Sequence, residues 1–477
     1  MILLFNPRSA KSKHRLPLSL LSLAALLEGK YDYQIVDGNF EMNAAATLGA
    51  IIRTKHIRYF GVTVMPGPQL VEAITVTQKL KNEFPNLVVV WGGYFPSLHA
   101  EVVLQSGFVD HVVRGPGDVA FLELIDRLEG NLGTAGKVHD SGLVPPQNSR
   151  LPYHHMDVRR YIGKTCLGTR TISYHSSFGC PFLCGFCAVA AIYKGRWNGK
   201  AAEAVAEEVL WFRDQYGVNA VEFIDNNFFV AEHRTREIAE RLRRGGITWW
   251  GEARPDTLME FSDATWQLMR ESGCKMIFFG AESGSDDVLA QMDKGGTQTS
   301  DTVPQLAERA RQFGIVPEFS FVLGTPCDDV DAQIERDIQY IRRIKAINPQ
   351  SEIVIYVYSP VSFDDAALLQ QARRFGFDFP KRLTDWLEPV WQGFDLRKNP
   401  HTPWLEPRHV ERIMNFERVL NARFPTISDI KLKRWQTLVL KTLGSWRYTL
   451  GFYAAPWEIR FVANRLFQYR QPEIEGF

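Results

Sequence analysis

Three cysteines, Cys180, Cys184 and Cys187, sit in the run Ser177-Phe-Gly-Cys180-Pro-Phe-Leu-Cys184-Gly-Phe-Cys187. Spacings of 4 and 3 in one short loop suit a cubane iron–sulfur cluster held at three corners, because such clusters take thiolate ligands. The fourth iron is then open to a further ligand. Structural zinc is the competing chemistry, and it needs four N or S ligands. Downstream the next Cys is Cys274 and the next His is His233, while Cys166 and His175 precede the loop and stand as candidate fourth ligands. Otherwise Cys166, Cys274 and Cys327 read as ordinary core or loop residues.

Such a loop needs a rigid scaffold. From about 171 to 358 strand and helix signals alternate, with predicted strands at 171–174, 220–224, 247–253, 276–280, 318–323 and 352–356. Helical patterns lie between them, as at 201–216 and 235–244. Six such units in series predict a partial (β/α)6 TIM-like barrel with its chemistry at the carboxyl ends of the strands. Residues 1–130 carry five apolar runs, at 2–5, 33–36, 59–64, 87–91 and 111–113, with helical patterns between them. They predict a flavodoxin-like, Rossmann-type five-stranded parallel sheet whose ligand binds beyond the strand ends. Residues 131–170, rich in Gly, Pro, Asn and His, read as a linker with a small hairpin, on which His154 and His155 read as a solvated pair. Residues 359–477 read as a mainly helical C-terminal region that shapes the substrate site or meets a membrane surface.

The cysteine spacing, with an aromatic residue before the third Cys, resembles the radical S-adenosylmethionine (SAM) superfamily. The resemblance implies that Cys180, Cys184 and Cys187 hold a 4Fe-4S cluster, whose open iron chelates SAM, and that Phe186 packs against the adenine. Four further stretches resemble family motifs. They are Phe223-Ile-Asp225-Asn226-Asn227-Phe228, similar to FxDDxF, Glu252-Ala-Arg254-Pro-Asp256, Gly280-Ala-Glu282-Ser283-Gly284-Ser285, similar to GxESGS, and Gly324-Thr325-Pro326. They imply SAM contacts from Asp225, Arg254, Glu282, Ser283 and Gly324, with Arg254 bidentate to the carboxylate. The family's second Asp is Asn226 here.

A flavodoxin-like domain ahead of this barrel resembles the cobalamin-dependent radical SAM family over roughly residues 1–360. Its marks are Thr63, the Gly92-Gly93-Tyr-Phe-Pro96-Ser97 turn and Arg114-Gly-Pro-Gly117-Asp118, where relatives usually read RGEGE. The strand-end residues Pro7, Thr63, Met65, Gly92, Gly93, Pro96 and Gly115 are the implied cobalamin contacts. The DxHxxG motif that donates a histidine to cobalt is absent, and Asp110-His111 has the wrong spacing. The resemblance therefore implies base-off cobalamin with no protein histidine. It also implies an enzyme that cleaves SAM reductively to a 5′-deoxyadenosyl radical and methylates an unactivated carbon through methylcobalamin. Alternatives are a cyclase without methyl transfer, like the anaerobic magnesium-protoporphyrin ester cyclase, or a corrinoid sensor without catalysis. Its partners would be a small-molecule substrate, lipid or porphyrin-like, and an electron donor such as flavodoxin or ferredoxin.

Composition sets the outer limits. The 477 residues carry 55 Lys+Arg against 54 Asp+Glu, which argues against nucleic acid as a partner, since phosphate binding needs surplus cations. No apolar run reaches the roughly 20 residues needed to span a bilayer. The basic residues near the N-terminus follow the apolar stretch, the wrong order for a secretory signal, so a cytoplasmic enzyme is expected. From 431 to 470 there are 8 Lys/Arg against Glu458 alone, with Trp435, Trp446 and Trp457 spaced by 11. Two readings stand for this tail. It meets an anionic inner-membrane surface, or it is a helical cap over the barrel mouth with the three tryptophans buried.

Overall fold

The computed structural model describes residues 1–9, 14–130, 132–133, 136–140, 150–292, 294, 296–394, 401–427 and 431–469. The five early apolar runs form β1 (Ile2–Asn6), β2 (Tyr33–Asp37), β3 (Tyr59–Thr63), β4 (Val88–Gly92) and β5 (His111–Arg114). All pair in parallel in the order β2-β1-β3-β4-β5, and β6 (Val138–Asp140) adds a sixth strand beside β5. Val138 gave little signal because three residues with one apolar side chain have no readable period. The stretch read as a linker thus holds a parallel strand rather than a hairpin. It also holds two 3-10 turns, 153–155 and 158–161. Tyr161 donates to Asp37 on β2 at 2.7 Å and Tyr153 to Glu208 on helix Ala202–Tyr216 at 2.7 Å, so this stretch is bonded to both domains. His154 and His155 each lie against Glu28, at 3.5 and 3.3 Å.

The barrel strands are β7 (Thr171–Tyr174), then β8 (Ser177–Gly179) and β9 (Trp197–Gly199) as a small antiparallel ribbon. β10 (Ala220–Phe223), β11 (Thr248–Ala253), β12 (Cys274–Glu282), β13 (Val316–Leu323) and β14 (Glu352–Val357) follow. The parallel order is β7-β10-β11-β12-β13-β14, an open barrel because β7 and β14 do not pair. Each open edge is covered, as unpaired strands must be. Gly163 bridges Thr171 on β7, and the buried Glu417 of helix Pro407–Arg423 accepts from the Ile355 N–H of β14 at 3.3 Å. Helices alternate with strands on both faces of the first sheet and around the barrel, leaving the strands buried through Leu, Ile, Val and Phe.

Candidate cofactor site

The turn that launches the cysteine loop is fastened from β10. Asp225, fully buried, accepts from the Ser176 N–H at 2.6 Å and from the Ser176 and Ser177 hydroxyls at 2.5 and 2.6 Å. Arg234 donates to the Ser176 carbonyl at 2.8 Å. Asn226 Oδ1 accepts from the Gly179 N–H at 3.2 Å, and Asn227 Nδ2 lies 3.8 Å from Cys180 Sγ. Three successive side chains therefore hold the loop, Asp225 through three accepted bonds. Gly179 has φ +77°, and an added Cβ would stand 2.2 Å from the Arg196 carbonyl. The β8–β9 ribbon closes at this point only with glycine.

The three thiols lie close enough along the loop to influence one another's ionisation. Burial, with the neighbouring Cys184 and Cys180, pushes Cys187 up to about 12, and burial also raises Cys184 against the pull of Lys294 and Arg254. Thiolates so placed require a cation. Among the described residues, the only His/Cys/Asp/Glu trio with ligand atoms all within 4.8 Å is Glu28, His154 and His155. Three thiols on one loop are the donor set of a cubane held at three corners, whereas structural zinc takes four N or S ligands. Cys166 lies at the other end of the barrel, where Lys275 donates to its carbonyl. His175 packs on Phe178, ring centroids 5.8 Å apart.

Around this loop the strand ends supply charge. Arg254, buried, makes two bonds to Asp256 at 3.0 and 2.7 Å, donates to Cys184 Sγ at 3.2 Å, and stacks 3.9 Å from the Phe182 ring centroid. Its fork reaches Asp256 and the sulfur, so it braces the cysteine loop. Glu282, at φ +65°, pairs with the buried Lys294 at 3.1 Å, and that ammonium lies 5.6 Å from the Phe186 ring. This buried ion pair lies beside an aromatic face. Ser283 donates to Asp337 at 2.8 Å and so braces the β12 turn. Gly324, at φ +75°, accepts from Trp404 through its carbonyl at 2.9 Å. Sequence reasoning missed Lys294, Asp256 and Ser176. The available signal for Lys294 was a lysine directly before Gly-Gly-Thr in sequence, twelve residues after Glu282.

The cobalamin candidates gather at one edge of the first sheet. Pro7, Thr63, Met65, Gly92, Gly93 and Gly115 end or follow β1, β3, β4 and β5, with Pro96 in the helix after β4. Gln69 fixes this edge. It accepts from the Met65 N–H at 2.7 Å and donates to Asn6 and to the Pro7 carbonyl at 2.9 and 3.0 Å. Ser97 donates to the Gly93 carbonyl at 2.6 Å and accepts from the Gly115 N–H at 2.9 Å. Gly115, at φ +75°, has open space where a Cβ would stand. Gly93 differs: its Cβ would meet Val64 backbone at 3.0 Å. His111 pairs with His139 at the start of β5, the end of the strand away from this edge.

The two sites adjoin. Helix Ala188–Tyr193, which begins right after Cys187, packs on helix Tyr94–Leu98, which begins right after Gly93. Segment 360–394 forms a third wall, where Pro66, Tyr94, Leu98, Val361, Trp386 and Phe394 line an apolar cleft. Burial holds His99, packed there between Phe95 and Trp386, down at about 4, so it is neutral.

Comparisons with known proteins agree with this geometry. Residues 174–375 match the radical SAM superfamily and residues 13–125 the B12 binding domain. An uncharacterized methyltransferase of Pyrococcus horikoshii is 30% identical over 69% of this chain and 73% of its own. The anaerobic magnesium-protoporphyrin IX monomethyl ester cyclase of Synechocystis is 25% identical over 75% and 74%. In fold, the radical SAM methyltransferase TsrM from Kitasatospora setae, solved with tryptophan substrate and a SAM analog, superposes with TM-score 0.66 at 16% identity, over 98% of this chain and 99% of that one. The chain belongs to the cobalamin-dependent radical SAM enzymes, with a 4Fe-4S cluster, SAM and cobalamin as its cofactors.

Proposed function

We propose that the enzyme methylates an unactivated carbon of a small molecule held between its two cofactor sites. The observation that carries this reading is the packing of helix Ala188–Tyr193 on helix Tyr94–Leu98, which sets the cysteine loop beside the cobalamin cradle. Residues 1–130 form the cobalamin domain, 131–170 the link, 171–358 the radical SAM barrel and 359–477 the substrate-shaping region. When bound, the cluster supplies an electron for SAM cleavage and cobalamin carries the methyl group. The chain's own work is positioning, which is worth most when both reactants are fixed. Cys180, Cys184 and Cys187 hold the cluster, and Asp225, Asn226 and Asn227 hold that loop. Phe186 offers a face to the adenine, while Glu282 and Lys294 present opposite charges to the hydroxyl and carboxylate groups of SAM. Pro7, Thr63, Met65, Gly92, Gly93, Pro96 and Gly115 would cradle cobalamin, with no histidine among them.

The walls contributed by Trp386, Phe394 and Val361 suit a largely apolar substrate, lipid or porphyrin-like. A flavodoxin or ferredoxin would serve as electron donor, and the reaction would take place on the cytoplasmic side, at the inner membrane surface. The test is anaerobic turnover of the reconstituted enzyme with reductant, SAM and a polar-lipid extract. S-adenosylhomocysteine and 5′-deoxyadenosine formed in equal amounts support methyl transfer. 5′-Deoxyadenosine without S-adenosylhomocysteine refutes it and favours cyclase-type chemistry.

A further inference from the structure

Helix Arg434–Leu450 and the turn-and-helix segment 451–466 form a hairpin on the outside of the barrel. The inner face of the first helix packs on helix Pro407–Arg423. There Gly444 comes so close that an added Cβ would stand 2.7 Å from the Arg423 nitrogen. Arg342 of helix Val330–Ile347 donates to the Tyr448 carbonyl at 2.5 Å, so the hairpin sits against the barrel's flank and not over its mouth. Its own bend is fastened by a buried ion pair between Arg447 and Glu458, with Arg447 also donating to the Ala454 and Ala455 carbonyls at 2.7 and 3.2 Å. The one acid of the hairpin is thereby spent inside it.

The outer face is inverted relative to an ordinary surface helix. Trp435, Trp446 and Trp457 are 58%, 45% and 71% exposed, so the buried-cap alternative fails. Nine of the fifteen large apolar side chains exposed among the described residues fall between 435 and 466. On the first helix Trp435, Leu438, Val439, Trp446 and Leu450 recur at helical spacing along one stripe, and Trp457 and Phe461 are exposed on the helix that follows the turn. Flanking this stripe, Lys433, Arg434, Lys441, Arg460 and Arg465 are exposed, and among the described residues 431–469 no exposed carboxylate accompanies them. A contiguous apolar face of this kind marks an interaction site. Tryptophan set between aliphatic side chains and a cationic rim is the composition that lies in the headgroup layer of an anionic bilayer. The helix is about 25 Å long, and no described helix is long and apolar enough to cross a membrane, so the hairpin would lie flat.

We infer that the outer face of hairpin 434–466 docks the enzyme in-plane on an anionic lipid surface. This deepens the membrane-surface part of the proposed function and stands independently of the radical chemistry. The experiment is flotation of the full-length holoenzyme with vesicles of equimolar phosphatidylglycerol and phosphatidylcholine, against phosphatidylcholine alone. The wild type should float with the anionic vesicles and lose most of that binding in high salt. Combined Trp435→Ser, Trp446→Ser and Trp457→Ser should lower binding at least tenfold while SAM cleavage in solution is unchanged. Lys433→Glu with Lys441→Glu, which alters no packed side chain, should do the same to anionic vesicles and guards against a folding defect. Unchanged flotation of both variants overturns the inference. So does wild-type protein that ignores vesicles but self-associates through the same tryptophans. Loss of SAM cleavage in protein that still floats would count against the catalytic reading and leave the docking face standing.

Discussion

Replacing Asp225 by Asn separates two roles that the same carboxylate could hold. The structure commits its oxygens to the Ser176 N–H and to the Ser176 and Ser177 hydroxyls, at 2.5–2.6 Å. Bonds to a buried charged acceptor contribute about 1.5–3 kcal/mol each. Asn keeps one accepting oxygen and turns an NH2 toward a hydroxyl, so roughly 3 kcal/mol of support for the turn is lost, close to two of the three bonds. A loss of that size shifts the balance between ordered and loosened loop by about a hundredfold. The affected segment carries Cys180, Cys184 and Cys187, and the cobalamin cradle is fastened elsewhere, through Gln69 and Ser97. The expected result is a cluster that leaks iron to a chelator about a hundred times faster than wild type, with cobalamin content intact and SAM affinity of the surviving holoenzyme within a few-fold of normal. Iron release followed by chelator absorbance and SAM binding by equilibrium dialysis measure the two quantities on one preparation. Normal iron retention with SAM affinity reduced a hundredfold would refute the positioning role and restore Asp225 as a SAM ligand.

Cys184→Ala should abolish 5′-deoxyadenosine formation and leave cobalamin bound, since the cradle shares no residue with the cluster loop; joint loss of both cofactors would contradict the two-site arrangement. Lys294→Met leaves the buried Glu282 without its 3.1 Å partner and should weaken SAM binding about tenfold or more with iron content unchanged, as read by dialysis, because uncompensated buried charge is costly. Gly115→Trp fills the open space at the cradle and should lower cobalamin content at least tenfold by its visible absorbance. Gly93→Trp is the poorer probe, because its Cβ already collides with Val64 backbone. Burial pushes Glu252 up to about 7 against the pull of Arg15. A carboxyl raised in the folded state stabilises below pH about 4.5 and loses that contribution as pH rises through 7, about 3 kcal/mol in all. Glu252→Gln should therefore flatten the fall in Tm between pH 5 and 8, and an unchanged slope would place the effect elsewhere.

The strands were legible because runs such as Ile2–Asn6 and Val88–Gly92 are apolar nearly throughout, the signature of a sheet covered on both faces. The cysteine loop was legible because its chemistry depends on local spacing. Its support was not. Asp225 meets Ser176 across 49 residues and Arg254 meets Cys184 across 70, pairings that depend on which strands lie side by side. A motif resemblance points both residues to SAM, and the fold adds their bonds to the loop. Lys294 was passed over for the same reason, since a single lysine near glycines carries no period. β6 escaped because a three-residue edge strand depends on its partner more than on its own pattern. The tail's tryptophans were visible by spacing, yet helical spacing is shared by inner and outer faces. Only the packing of Gly444 against Arg423 shows which way they point.

Substrate choice should reside where neither cofactor domain dictates sequence. Segment 360–394 meets both: Pro360, Val361, Phe379, Trp386 and Phe394 face Pro66, Tyr94, Phe95 and His99 of the first domain, and Ala366 touches the position of Gly185 inside the cysteine loop, with 3.3 Å to its would-be Cβ. A side chain in this wall can therefore change the space between the cofactors without touching a cofactor contact. His99 makes the point sharply. Burial keeps it neutral, and Phe95, Phe379 and Trp386 enclose its ring, so it packs as an apolar plane. Trp386→Ala removes the largest of these walls, and its cavity should cost about 3–5 kcal/mol of stability. In the same protein SAM cleavage should persist while coupling to methyl transfer falls, seen as 5′-deoxyadenosine exceeding S-adenosylhomocysteine. Coupling that stays at one to one would mean that this wall does not face the reacting carbon, and the substrate site would have to be sought inside the barrel.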